Sequence, residues 1–430
     1  MTFAKDLISR NFNQSGQHVV VAGVSLSTVA ERFGTPVFVY DAGVLDRKLK
    51  SLRAVLPDSF DISYSVKANP NKAILRWFVA KGCGLEIASG GEYQLASDAG
   101  CPLDRIVFAG PGKTESELEL VLAKGIGELH VESLVEIDRI VRLCHRVGTK
   151  VNVALRINPT GEAEGGAMRM GGRATPFGVD EETVDGLVDH IAASPELRLT
   201  GVHLFTGTQI LDHEILLRQY RKGMAIAASV ARRVKRPLAT VDFGGGLGVP
   251  YFSHEHELDL ESLGQGLSRL MESSGKESVF NGTTFLLEPG RFLTAEAGIF
   301  LARVTDVKTS RGKTFVILDG GMNCHLAASG NLGQTIKRNY PIAVVNRIED
   351  PIGVTADVVG PLCTPLDTLG RNVELPRPEV GDLVGVFQSG AYGLTASPVH
   401  FLSHPSPAEV MIDAGIAHLI RARGALTNLS

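Results

Sequence analysis

The 430-residue sequence predicts an α/β protein, a (β/α)8 TIM barrel joined to a second, mostly β domain of barrel or sandwich form. Three observations lead there. Short β-rich runs alternate with helical segments through the first two thirds of the chain, those runs number eight, and after Arg291 the alternation gives way to β-rich runs broken by Gly, Pro and Asp. Strands separated by helices form βα units and a parallel sheet, and eight units are the number that closes a barrel. A doubly wound open sheet is the alternative. The expected boundaries are 36–290 for the barrel and 1–35 plus 291–430 for the β domain.

The eight runs are DISYSV (61–66), LEIAS (85–89), RIVFAG (105–110), ELHVE (128–132), VNVALRI (151–157), LTGVHLF (199–205), TVDFG (240–244) and TFLLEP (284–289). Between them lie helix signals. Thr114 and Glu117 make a capping box ahead of Leu118, Val121 and Leu122, with Gly125 as the stop. Ser133 and Glu136 repeat the device ahead of Ile137, Ile140, Val141 and Cys144. The later runs GIFLARVTDV, KTFVILDG, GVTADVVG and DLVGVFQS read as strands of the second domain, and HVVVAGV (18–24) has the same character and is expected to join it.

Composition narrows the function classes. Hydrophobic residues make up 44% and charged residues 21%, with no apolar run of membrane-spanning length, so a soluble protein is expected. A net charge of −4 offers no broad attraction for nucleic acid. The opening residues lack a signal-peptide core, which points to a cytoplasmic protein. Five cysteines without close pairs argue against a disulfide framework and against a zinc site, and no metal is expected.

In an α/β barrel, chemistry collects at the carboxyl ends of the strands, and phosphate is often held after strands 7 and 8. Lys67 follows strand 1 in SYSVKANPN. Glu86 lies in strand 2, Arg156 in strand 5 and His203 in strand 6. Strand 7 runs into Gly244, Gly245 and Gly246, and strand 8 into Glu288, Pro289, Gly290 and Arg291. A glycine triplet alone is usually a tight turn, and a lone lysine usually a solvated charge. Together, a lysine at the end of an apolar strand, backbone amides able to wrap a phosphate, and a buried carboxylate are the parts that pyridoxal 5'-phosphate (PLP) requires.

The motifs YSVKAN, SGGE, GTQ, DFGGGLGVPY, EPGRF, GPLC and SGAYG, in this order between about residues 35 and 411, resemble those of the alanine racemase-like, fold-type III PLP enzymes, and within them the diaminopimelate and ornithine decarboxylases. The resemblance implies that Lys67 carries the cofactor as a Schiff base, that Thr208, Gly244, Gly245, Gly246, Gly290, Arg291 and Tyr392 surround its phosphate, and that Glu288 pairs with its pyridine nitrogen. It implies further that Cys363 enters the site from the second subunit of a homodimer and protonates the carbanion left by CO₂. The segments GAMRMGGRATPFG, DGGMNCHLAASGNLGQTIKRNYP and GPLCTPLD are similar to a subgroup found beside exosortase systems and in butirosin-type antibiotic pathways, some of whose members act on amino acids joined to a carrier protein. On that likeness Arg291, Arg338, Tyr340, Thr364 and Asp367 are candidate substrate contacts, and the 165–178 segment a mobile loop.

Two departures bear on the substrate. In the diamino-acid decarboxylases an acid at or beside the residue after the cysteine reads the distal ammonium, whereas here Cys363 is followed by Thr364, Pro365 and Leu366, with Asp367 the nearest carboxylate. Phe205 stands where those enzymes usually carry a histidine stacked on the cofactor. The expected substrate is therefore an amino acid or conjugate with a neutral, acidic or extended far end. The alternatives are diaminopimelate decarboxylation and, further off, amino-acid racemisation. The basic stretch Arg232, Arg233, Lys235 and Arg236 reads first as a solvated helix end and second as a docking patch for an acidic carrier.

Overall fold

A computed structural model of the protein describes residues 2–161, 168–169, 174–205, 207–274, 277–334 and 336–424. The chain divides into two compact units, Ser51–Gly248 with Glu257–Gly290, and Met1–Lys50 with Val249–His256 and Arg291–Ser430.

The first unit is the barrel. Its strands are β1 Phe60–Ser65, β2 Gly84–Ile87, β3 Ile106–Phe108, β4 Glu128–Val131, β5 Val151–Asn158, β6 Leu197–His203, β7 Thr240–Asp242 and β8 Thr284–Leu287. Each pairs in parallel with the next, and β8 pairs with β1, so the ring closes and the open-sheet alternative falls away. Every residue of β2, β3 and β4 is buried, as expected of parallel strands covered on both faces.

The connecting helices form for legible reasons. Helix Glu115–Lys124 carries both halves of the Thr114–Glu117 capping box and ends at Gly125, burying Leu118, Val121 and Leu122. Each such side chain contributes roughly 1.5–3 kcal/mol by leaving water. Helix Leu134–Val147 keeps only half of its box. Ser133 accepts the Glu136 amide, but the Glu136 carboxylate turns to the Glu132 amide and the Lys113 ammonium.

The second unit is mostly β. Its spine is the strand Gly298–Ser310, which pairs with Lys313–Leu318, Leu383–Val386 and Val37–Asp41. Val354–Val359, Thr368–Leu375, Ala408–Asp413, Ile416–Arg421 and Ile342–Val344 complete the sheet. The observed boundary differs from the expected one. Residues 36–50 and 249–256 group with this unit and not with the barrel, and within the first of these Val37–Asp41 pairs antiparallel with the spine and parallel with Ala408–Asp413. A five-residue buried run looks the same in either sheet, so only the distant partner decides. His18–Val21 lies in this unit, in a three-stranded sheet of its own with Asn13–Ser15 and Val24–Ser25, and the Val19 amide donates to the Val345 carbonyl. Among the described residues no helix is long and apolar enough to cross a membrane.

Candidate active site

Strand β1 ends at Ser65, and a single 3₁₀ turn, Val66–Ala68, follows it and carries Lys67. The Lys67 ammonium donates to both oxygens of Glu86, at 3.0 and 2.9 Å, and Ser65 donates its hydroxyl to the same carboxylate. Glu86 is buried on β2 while the Lys67 side chain remains 44% exposed. The anchor is thus rigid and the amine accessible.

At the far side of β1, the Glu288 amide donates to the Gly244 carbonyl at 2.8 Å, binding the end of β8 to the glycine turn after β7. Gly245 allows this approach. A Cβ there would stand 2.6 Å from the Glu288 carbonyl oxygen. Gly290 has the same kind of reason, since its Cβ would stand 2.7 Å from that of Ala68. Within the turn, the Gly244 amide donates to Asp242 Oδ1 at 2.7 Å. The amides of Gly245 and Gly246 make no hydrogen bond among the described residues, so they are the two of the expected three that face no competing acceptor. Phe205 lies against Gly244, and Thr208 pairs with Met168 in a short antiparallel bridge.

The Glu288 side chain is buried, with Oε2 3.5 Å from His203 Nε2. Burial pushes the His203 imidazole down to about 4, with the nearby His130 and Arg156 adding to the effect against the pull of Glu288. Glu288 is held below the usual carboxylate range; burial opposes this, but His203, His130 and Lys67 outweigh it. Arg156 is paired with Glu132 at 2.8 Å, both nearly buried, and its guanidinium stands 5.1 Å from the Phe177 ring centroid.

Sequence reasoning missed three residues of this cluster. His130 and Asp242 are both fully buried, and one donor atom from each of His130, His203, Asp242 and Glu288 forms a set within 4.8 Å. Glu132 accepts from Arg156 and from the amides of Gly110 and Gly178. A signal existed, because an ionisable residue inside an otherwise apolar parallel strand, as in ELHVE or TVDFG, demands a partner.

The β-rich unit gathers the remaining candidates in two groups. Arg291 lies against Tyr392 and Tyr251, 4.6 and 5.5 Å from their ring centroids, and donates to the Tyr251 hydroxyl at 3.1 Å; Tyr340 packs on Tyr251. Arg338 stands over Phe252 and donates to His254 Nε2 at 2.7 Å, beside a cleft of about 700 Å³ that Tyr251 and Tyr340 also line. Cys363 is exposed, unlike the other four cysteines. Asp367, a candidate substrate contact, is engaged within its own unit. It is buried, with Oδ1 accepting the Met322 amide at 2.6 Å and Oδ2 the Leu362 amide at 2.8 Å. Of the basic stretch, Arg232 pairs with Glu277, Arg233 with Asp185 and Asp189, and Arg236 donates to the Leu199 carbonyl. Half of the 165–178 loop, residues 165–167 and 170–173, lies outside the described residues.

A family model described as the pyridoxal-dependent decarboxylase pyridoxal binding domain matches residues 42–295. The chain belongs to the pyridoxal-dependent decarboxylases. It is 37% identical over 402 residues to an L-glutamyl-[BtrI acyl-carrier protein] decarboxylase of Niallia circulans, covering 93% of this chain and 94% of that protein. It is 32% identical over 407 residues to a diaminopimelate decarboxylase of Aquifex aeolicus, covering 94% and 92%. Its fold matches the crystal structure of a diaminopimelate decarboxylase from M. jannaschi with a TM-score of 0.90 at 26% identity, over 98% of this chain and 97% of that one.

This decarboxylase is a carboxy-lyase that uses PLP, and the barrel unit fits that group. It presents an accessible lysine and, among the described residues, a turn with two amides that make no hydrogen bond and a buried Glu288 whose Oε1 has no hydrogen-bond partner.

Proposed function

We propose that this decarboxylase acts on an amino acid whose far end is neutral, acidic or joined to a larger carrier, and not on a free diamino acid. The observation that carries the reading is the state of Asp367. Both of its oxygens are taken by backbone amides of its own protomer, so the loop after Cys363 offers no carboxylate to a distal ammonium. Burying an ammonium without an anionic partner costs several kcal/mol. Thr364 offers only a hydroxyl, already close to the Leu366 amide at 3.3 Å. The relative of Niallia circulans supports the carrier-linked option by its name.

In this reading Lys67 binds the cofactor carbonyl, with Glu86 orienting its amine before capture. The amides of Gly245 and Gly246, with Gly290 and Thr208, hold the phosphate, and Phe205 offers a ring face for stacking. Glu288 pairs with the pyridine nitrogen. Bound PLP supplies the electron sink that accepts the electrons of the broken Cα–carboxylate bond. Arg338 and Tyr340 contact the substrate. Cys363, supplied by the second chain of a homodimer, returns a proton to Cα, and its exposure within its own protomer suits a thiol used elsewhere.

Steady-state kinetics decide the matter. Meso-diaminopimelate, ornithine and lysine should each give a kcat/KM below about 10⁴ M⁻¹s⁻¹, and a glutamyl thioester or amide conjugate should exceed all three. A diamino acid at or above that value would overturn the proposal.

A further inference from the structure

We propose that Asp242 is a positioning residue that stays un-ionised in the folded protein and donates its proton to Glu288, keeping Glu288 an anion and tying it to the glycine turn. The inference rests on the reading of Glu288 as the partner of the cofactor's ring nitrogen and adds the group that sets its charge.

Asp242 closes β7 and is fully buried. Its Oδ1 accepts the Gly244 amide at 2.7 Å. Among the described residues, neither its Oδ2 nor Glu288 Oε1 has a hydrogen-bond partner. The two carboxyl groups belong to the same set of donor atoms within 4.8 Å. Two carboxylates so close and so buried do not both ionise, so one carries a proton, and that proton gives both orphaned oxygens a partner at once.

The surroundings decide which. Glu288 faces His203 at 3.5 Å, and the charge of Lys67 acts on it. Asp242 faces the charge of Glu288 and, beyond it, that of Glu128; His130 Nε2 is 3.8 Å from Asp242 Oδ2 but closer, at 3.3 Å, to Glu128 Oε1. Glu128 is itself an occupied acceptor, receiving the hydroxyls of Thr200 and Thr240 at 2.6 and 2.7 Å. Burial, then the charge of Glu288, hold Asp242 well above the usual carboxylate range, while Glu288 is held below it. The proton therefore belongs to Asp242. Through its two oxygens this one side chain serves both ends of the cofactor site, the ring-facing carboxylate and the phosphate-facing turn.

Asp242→Asn tests this directly, because the amide keeps a donor toward Glu288 and an acceptor for Gly244 and cannot ionise. In the apoprotein at neutral pH, the infrared difference between wild type and D242N should show the C=O stretch of a protonated carboxyl group. PLP affinity, from equilibrium absorbance titration, should stay within about threefold of wild type in D242N and weaken by about tenfold or more in D242L, which removes both hydrogen bonds. The folded protein retains a proton that the unfolded chain releases above its ordinary value of 3.8, so wild-type stability falls as pH rises through the raised value. The Tm of D242N relative to wild type should therefore climb from pH 5 to pH 8. A missing carboxyl band, or a D242N that loses affinity as D242L does, overturns the proposal. If only the role of Glu288 is wrong, Glu288→Gln leaves the spectrum of bound PLP unchanged while the infrared band persists.

Discussion

Lys67 Nζ lies 2.9 Å from Glu86 Oε2, an accessible amine held on a carboxylate that is 2% exposed. Ser65 donates to the same group, so the position of the amine is set before any cofactor arrives. Glu86→Ala should slow recapture of PLP by the apoprotein about tenfold, because the amine loses a charge-assisted hydrogen bond that fixes its direction. Glu86→Gln, which keeps an acceptor, should recapture faster than Glu86→Ala. Stopped-flow absorbance after PLP addition measures both, and equal rates in the two variants would count against an orienting role.

Arg156 and Glu132 form a buried ion pair between β5 and the end of β4. Glu132 accepts from Arg156 at 2.8 Å and from the Gly110 and Gly178 amides at 2.7 and 2.9 Å. Glu132→Ala strands a buried guanidinium and two amides, and should cost about 3–5 kcal/mol in denaturant unfolding. Replacing both charges together by Leu and Met should cost less than the single change. A single variant within about 1 kcal/mol of wild type would show that the pair relaxes into water.

Stability should also fall on mild acidification. Burial pushes His203 down to about 4 and His325 down to about 3, against an ordinary value of 6.5. The unfolded chain takes up protons below 6.5 that the folded chain refuses, so stabilisation present above that pH is lost as pH falls toward 4. His325 sits among Phe38, Phe300 and Tyr340, and His325→Leu should flatten part of this slope. Thermal melts between pH 7 and pH 4.5 check it. A parallel decline in the variant would show that other groups dominate.

The eight barrel strands were legible because each is a short apolar run between turn signals, and the site candidates because chemistry in such a barrel gathers at strand ends. Lys67, Glu86, Glu288 and the glycine turn could be picked out on that rule. The boundary was not legible, since Val37–Asp41 finds its partners at Gly298–Leu301 and Ala408–Ile412, far along the chain. The commitment of Asp367 was hidden for the same reason, as one of its donors is the amide of Met322, 45 residues away. Asp242 was overlooked beside its own glycines, because a strand-ending acid resembles a turn residue until its burial is known.

The proposed sharing of sites is open to a complementation test. Inactive Lys67→Ala and inactive Cys363→Ala chains, mixed under conditions of confirmed subunit exchange, should regain part of the activity, because some mixed dimers combine an intact Lys67 with an intact Cys363 from the other chain. No recovery after exchange would place both residues in one protomer's site.

The most direct measurement on the central claim is to find where the cofactor is bonded. Borohydride reduction of the PLP-loaded enzyme, followed by proteolysis and mass spectrometry, should place the pyridoxyl label on the peptide containing Lys67, and Lys67→Ala should carry neither label nor visible absorbance. A label on another lysine, or a Lys67→Ala variant that keeps the absorbance and the release of CO₂, would contradict the account.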